Sequence, residues 1–119
     1  MSPERAKVFV VEDSRQWRNL IIPELEFAGH EVVVTSTTLQ EALEAVGTLT
    51  QLGIQVAIID GNLSKEDTSG SDGRKILESI TEKAPEVKTI GLSMDKVVGV
   101  DVDLGKKNLN SLGQAVTEI

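Results

Sequence analysis

Glu12-Asp13, Asp60, Ser93 and Lys106-Lys107 are the side chains of this sequence best suited to chemistry on a phosphate or a cation. Each has an ordinary explanation on its own. An acid such as Asp13 often caps a helix, and a Ser such as Ser93 often sits in a turn. Asp60-Gly61 is a common turn pair, and a lysine such as Lys106 is usually a solvated charge. Brought together they mean more. Three clustered carboxylates repel one another, so at least one pKa must rise unless a cation joins them. Mg²⁺ answers that need: it takes oxygen ligands, uses one or two carboxylates and keeps several waters. A carboxylate beside it can act as a nucleophile towards phosphorus. The charge that develops then needs an ammonium and a hydroxyl nearby, roles open to Lys106 and Ser93.

Alternating strands and helices are what would position these residues. Lys7–Val11 reads as a short, buried apolar strand that runs straight into Glu12-Asp13. Trp17, Leu20, Ile21 and Leu25 follow at helical spacing; Pro23 is expected to kink or shorten that helix, and Gly29 to stop it. Glu31–Thr35 is a second strand. Thr38 with Glu41 forms a capping box before an apolar stripe of Leu39, Ala42, Leu43, Val46 and Leu49. Gln55–Ile59 is a third strand and ends at Asp60. Residues 61–72 read as a polar, Gly-rich loop, and Arg74–Lys83 as a helix ended by Ala84-Pro85. Lys88–Leu92 is a fourth strand and ends at Ser93. Val98, Val100, Val102 and Leu104 alternate as a half-buried edge strand would, and Leu109–Ile119 closes the chain as a short helix. This order implies a parallel sheet with helices on both faces. Such sheets collect ligands outside the carboxyl ends of their strands, where the acids, Ser93 and Lys106 all fall.

Composition narrows the classes. A length of 119 residues with no repeat or linker reads as one domain, residues 1–119. No apolar run is long enough for a membrane span, and the first residues lack the apolar core of a secretory signal. The chain has no Cys and one His, which excludes thiolate and multi-histidine metal sites. A formal net charge of −7 without a basic patch argues against nucleic acid or an anionic membrane as partner.

With these residues in place, the sequence resembles the response-regulator receiver family of two-component signalling and phosphorelays. Val-Val-Glu-Asp-Ser (10–14) looks like the family's acidic pair, and Ile-Ile-Asp-Gly-Asn-Leu (58–63) like its phospho-acceptor strand. Ile-Gly-Leu-Ser-Met (90–94) is similar to its switch-hydroxyl strand, and Asp-Leu-Gly-Lys-Lys (103–107) to its lysine turn. The resemblance implies a doubly wound, flavodoxin-like α/β fold: a five-stranded parallel sheet of order 2-1-3-4-5. It implies a cytoplasmic phosphoprotein whose Asp60 accepts a phosphoryl group from a histidine kinase or phosphotransfer protein. Glu12, Asp13, Asp60 and the main-chain carbonyl of Asn62 would hold Mg²⁺, while Ser93 and Lys106 would meet the phosphoryl group. Such a receiver catalyses its own phosphorylation and dephosphorylation but turns over no external substrate.

The sequence departs from the family's pattern in several places. The segment from Asp60 to Gly73 is longer than usual. Only twelve residues separate Ser93 from Lys106, so the fourth crossover helix is expected to be shortened or lost. Lys107 and Lys96 therefore compete with Lys106 for the lysine role. Asp103 stands where the family usually has an aromatic switch residue, Lys107 where it has a proline, and Met94 where it has a small residue. These departures keep a second reading open, a pseudo-receiver that binds a protein partner without being phosphorylated. A haloacid-dehalogenase-like phosphatase fits poorly, because Asn62 occupies the place of that family's second, proton-carrying Asp. A flavodoxin-like cofactor carrier fits no better, since Glu12-Asp13 would repel the phosphate its cradle must hold. Trp17, one helical turn past Asp13, reads as core or rim packing.

Overall fold

The computed structural model describes residues 5–60, 71–93 and 97–119. The order of elements is β1 (Lys7–Val11), α1 (Arg15–Phe27), β2 (Glu31–Ser36), α2 (Leu39–Val46), a single turn α3 (Leu49–Leu52) and β3 (Val56–Ile59). It continues with α4 (Ser71–Lys83), β4 (Lys88–Gly91), β5 (Val102–Asp103), a 3-10 turn over Lys106–Ser111 and α5 (Leu112–Glu118). The five strands form one sheet of order β2-β1-β3-β4-β5, and every pairing is parallel.

The apolar runs of β1 and β3 are continuous because both faces of these strands are covered. Successive side chains point to opposite faces. Phe9, Val11, Ala57 and Ile59 pack with Ala42 and Val46 of α2 and with Ile76, Leu77 and Ile80 of α4. Val8, Val10, Ile58 and Ile90 pack on the other face with Ile21 and Leu25 of α1 and Leu112 and Val116 of α5. The sheet is thus held between two helical layers.

Local signals account for most boundaries. Thr38 accepts a bond from the Glu41 amide, and the Glu41 carboxylate reaches back to the amide and hydroxyl of Thr37. Gly29, at φ 93°, ends α1 in a conformation that suits glycine. The side chain of His30 ties the amino-terminal edge together: its Nδ1 accepts from the buried Ala6 amide, and its Nε2 lies 3.1 Å from the Gly113 carbonyl on α5.

Five expectations need correction. The helix expected over Arg74–Lys83 begins at Ser71, so the loop expected over 61–72 ends earlier; the rest of that loop, 61–70, lies outside the described residues. Pro23 does not shorten α1, which runs through it as one helix. Pro23 and Asn19 are both exposed, so the Asn19 carbonyl deprived of its helical donor can bond to water. The stripe of α2 stops at Val46, and Leu49 enters the same core from the separate turn α3. The edge strand is two residues long: Val98 is 65% exposed, and it is the neighbouring Val97 that is buried. Side chains complete the ladder instead. The Thr89 amide donates to the Asp101 carboxylate at 2.8 Å, and the Asp101 amide donates to the Thr89 hydroxyl at 2.9 Å. The final helix, expected from Leu109, begins at Leu112 after the 3-10 turn. Among the described residues between β4 and β5 there is no helix, as the short spacing implied. Among the described residues no helix is long and apolar enough to cross a membrane.

Candidate functional site

Where β1 ends, the Glu12 amide still bonds to the Ser36 carbonyl at 3.1 Å, so Glu12 is held as firmly as a strand residue. Ser14, not Asp13, caps α1: its hydroxyl accepts from the Trp17 amide. Asp13 is therefore free of capping duty and lies exposed at the mouth of the site. One turn into α1, the Arg18 guanidinium donates to the carbonyls of Glu12 and Asp13, each at 2.9 Å. This brace for the acidic pair had no signal in the sequence, where Arg18 is one charge among several on an exposed helix.

The next two strands deliver Asp60 and Ser93. The Asp60 amide bonds to the Val11 carbonyl at 3.0 Å and so continues β3, while the Leu92 amide bonds to the Ile59 carbonyl at 2.9 Å and leads the chain on to Ser93. Asp60 and Ser93 are both buried. After β5, Gly105 takes a φ of 80°, and the Lys106 amide bonds to the Ser93 carbonyl at 3.0 Å. That turn points Lys106 inward and leaves Lys107 exposed.

The Lys106 ammonium lies 2.8 Å from Glu12 Oε1, 3.6 Å from Asp60 Oδ2 and 4.8 Å from the centre of the Trp17 ring. Glu12, Asp13 and Asp60 each offer a carboxylate oxygen, and these lie within 4.8 Å of one another. Burial, aided by a hydrogen bond with Asp60, pushes the Glu12 carboxyl from 4.5 up to about 8, and Lys106 pulls it back only in part. The Lys106 ammonium at 2.8 Å is the partner of buried Glu12 Oε1. An all-oxygen set of three clustered carboxylates fits a hard divalent cation such as Mg²⁺.

The described structure thus brings together Glu12, Asp13, Asp60 and Lys106, with Ser93 anchoring the lysine turn through its carbonyl. Asn62, Met94 and Lys96 lie outside the described residues. Trp17, expected as core or rim packing, does pack against the core, and its ring also faces Lys106.

No family model and no curated protein sequence matches the chain. Its shape does find relatives. A CheY-like response-regulator receiver domain from Methanospirillum hungatei JF-1 superposes with a TM-score of 0.76 at 21% identity, covering 95% of this chain and 91% of that one. The chain has the response-regulator receiver fold. A phosphorylated cyanobacterial phytochrome response regulator, RcpA, shares this receiver fold at a TM-score of 0.70 and 25% identity, over 96% of this chain and 90% of that one. CheY of a CheX-CheY-BeF3-Mg+2 complex from Borrelia burgdorferi shares it at 0.64 and 20% identity, over 76% and 63%. In the receiver fold of this chain, the acids and Lys106 occupy the carboxyl edge of β1, β3 and β5, where open parallel sheets bind ligands.

Proposed function

We propose that residues 1–119 form one receiver domain, switched by Mg²⁺-dependent phosphorylation of Asp60. The observation that carries this reading is the convergence of Glu12, Asp60 and Lys106 in one buried pocket at the carboxyl edge of a receiver fold. The relatives supply context: one is a phosphorylated response regulator, and another was captured with BeF3 and Mg+2.

In this reading an Asp60 carboxylate oxygen attacks the phosphorus of a phosphohistidine on a kinase or phosphotransfer protein. The new O–P bond forms as the P–N bond breaks, and the leaving imidazole keeps the electron pair. Lys106 pairs with the phosphoryl oxygens, and the Ser93 hydroxyl donates to one of them. Glu12, Asp13, Asp60 and the Asn62 carbonyl would hold Mg²⁺, which when bound neutralises the charge on the transferring oxygens. The chain's own residues then position and stabilise, and water later hydrolyses the acyl phosphate to restore Asp60. No other substrate is turned over.

The lack of a helix among the described residues between β4 and β5 favours a second reading, a pseudo-receiver that docks to a partner without phosphorylation. Intact-mass spectrometry after incubation with acetyl phosphate decides between them. A single phosphoryl adduct that requires both Mg²⁺ and Asp60, and is lost in Asp60→Asn, is expected. No adduct under any condition would leave the pseudo-receiver.

A further inference from the structure

Lys106 stands between three partners of unequal permanence. Glu12 is nearest at 2.8 Å and Asp60 lies at 3.6 Å, but both are acids that a bound cation would claim. The third partner, the face of Trp17 at 4.8 Å, makes no demand on a cation of its own and ligates no metal. An ammonium within about 6 Å of an indole centre is attracted by the ring's quadrupole, more strongly as water is excluded. Water is largely excluded here, since Lys106 is 9% exposed and Trp17 is half-buried against the α1–α5 layer. The indole is also held at its base, because the Trp17 amide donates to the Ser14 cap.

We propose that Trp17 is a positioning residue for Lys106: the indole face holds the ammonium at the rim of the acidic pocket when Glu12 and Asp60 turn to a cation, so that Lys106 is placed to pair with an incoming phosphoryl group. This rests on the receiver reading for its chemistry, but the Trp17–Lys106 coupling stands on geometry alone and can be tested apart from it. The coupling is specific to this chain's pairing of an aromatic residue on α1 with the lysine that follows β5. It gives α1 a second duty beside the Arg18 brace, so that one helix steadies both the acids and the ammonium.

Two measurements test it. The first is Trp17 fluorescence during titration with MgCl2, in wild type and in Lys106→Met. Emission should change with Mg²⁺ in wild type, and Lys106→Met should shift the starting spectrum and lose most of the Mg²⁺ response. Identical spectra and responses in the two proteins would overturn the coupling, whether or not the chain is ever phosphorylated. The second is the labelling rate with acetyl phosphate for Trp17→Phe and Trp17→Leu, each alone and combined with Lys106→Met. Trp17→Leu should slow labelling about fivefold, within the range of a partly desolvated cation–π contact. Trp17→Phe should recover part of the loss, and neither change should matter once Lys106 is gone. A fivefold loss that persists in the Lys106→Met background would show that Trp17 acts through packing alone and would refute the proposal. Absence of labelling in wild type would sink the receiver reading instead, and the fluorescence arm would then decide the coupling by itself.

Discussion

Replacing Glu12 by Gln should make the metal-free protein more stable at alkaline pH. Gln keeps the shape and hydrogen-bonding reach of a protonated Glu but cannot ionise. Burial and the neighbouring Asp60 hold the wild-type carboxyl up at about 8, against 4.5 for the free side chain. The sign follows from proton linkage. Between those two values the folded state keeps a proton that the unfolded chain gives up, so raising the pH favours unfolding. The burden is absent below the unfolded value and complete above the folded one. At about 1.4 kcal/mol per pKa unit, the displacement from 4.5 to about 8 sets a ceiling of about 5 kcal/mol. The assay is urea unfolding followed by far-UV circular dichroism, in EDTA, on both proteins across this range. Comparing the two cancels the titrating groups remote from Glu12, so the pH-dependent difference reports Glu12 together with its neighbours Asp60 and Lys106. The variant should match wild type near the acid end, and its advantage should widen steadily towards the alkaline end. Saturating Mg²⁺ should reverse the order, because a cation relieves the wild-type carboxylates and binds the variant poorly. A stability difference that does not vary with pH, or a wild type that gains on the variant as pH rises, would refute the reasoning.

Further outcomes follow from other contacts. Arg18→Ala removes two 2.9 Å bonds to the carbonyls that shape the acidic pair. It should cost about 1–3 kcal/mol in urea unfolding, and should weaken Mg²⁺ binding by calorimetry although Arg18 is no ligand. Lys106→Ala should impair labelling by acetyl phosphate, whereas Lys107→Ala, altering an exposed side chain, should label as wild type does; the reverse result would misplace the lysine turn. His30→Leu strands the buried Ala6 amide without its acceptor and should lower stability by about 1–3 kcal/mol, while leaving Mg²⁺ binding at the opposite edge unchanged. In Gly91→Ala the new Cβ would stand 2.7 Å from the Val97 side chain. The crowding should cost about 1–3 kcal/mol, and because Gly91 also anchors Leu104 and Gly105 through its carbonyl, labelling should slow as well.

Local signals along the chain set the order of strands and helices, the capping box at Thr38, the stop at Gly29 and the placing of Glu12, Asp13, Asp60 and Ser93 at strand ends. Each of these is written in local terms. Apolar runs, residues at caps and turns, and an acid directly after a strand are all set by a few neighbouring residues, so one pass along the chain reads them. Whatever depends on distant partners appears only in the folded chain. Pro23 stays inside α1 because its face is exposed, a matter of packing that the spacing of Trp17, Leu20 and Leu25 does not reveal. β5 is short because Asp101 and Thr89 exchange side-chain bonds across the sheet. Lys106 rather than Lys107 enters the pocket because the Ser93 carbonyl pins its amide. The raised Glu12 carboxyl, the Arg18 brace and the Trp17 ring over Lys106 arise only when α1, β3 and the turn after β5 converge. Burial and Coulomb interaction act through space, and a linear sequence records which groups can ionise but not which of them will meet.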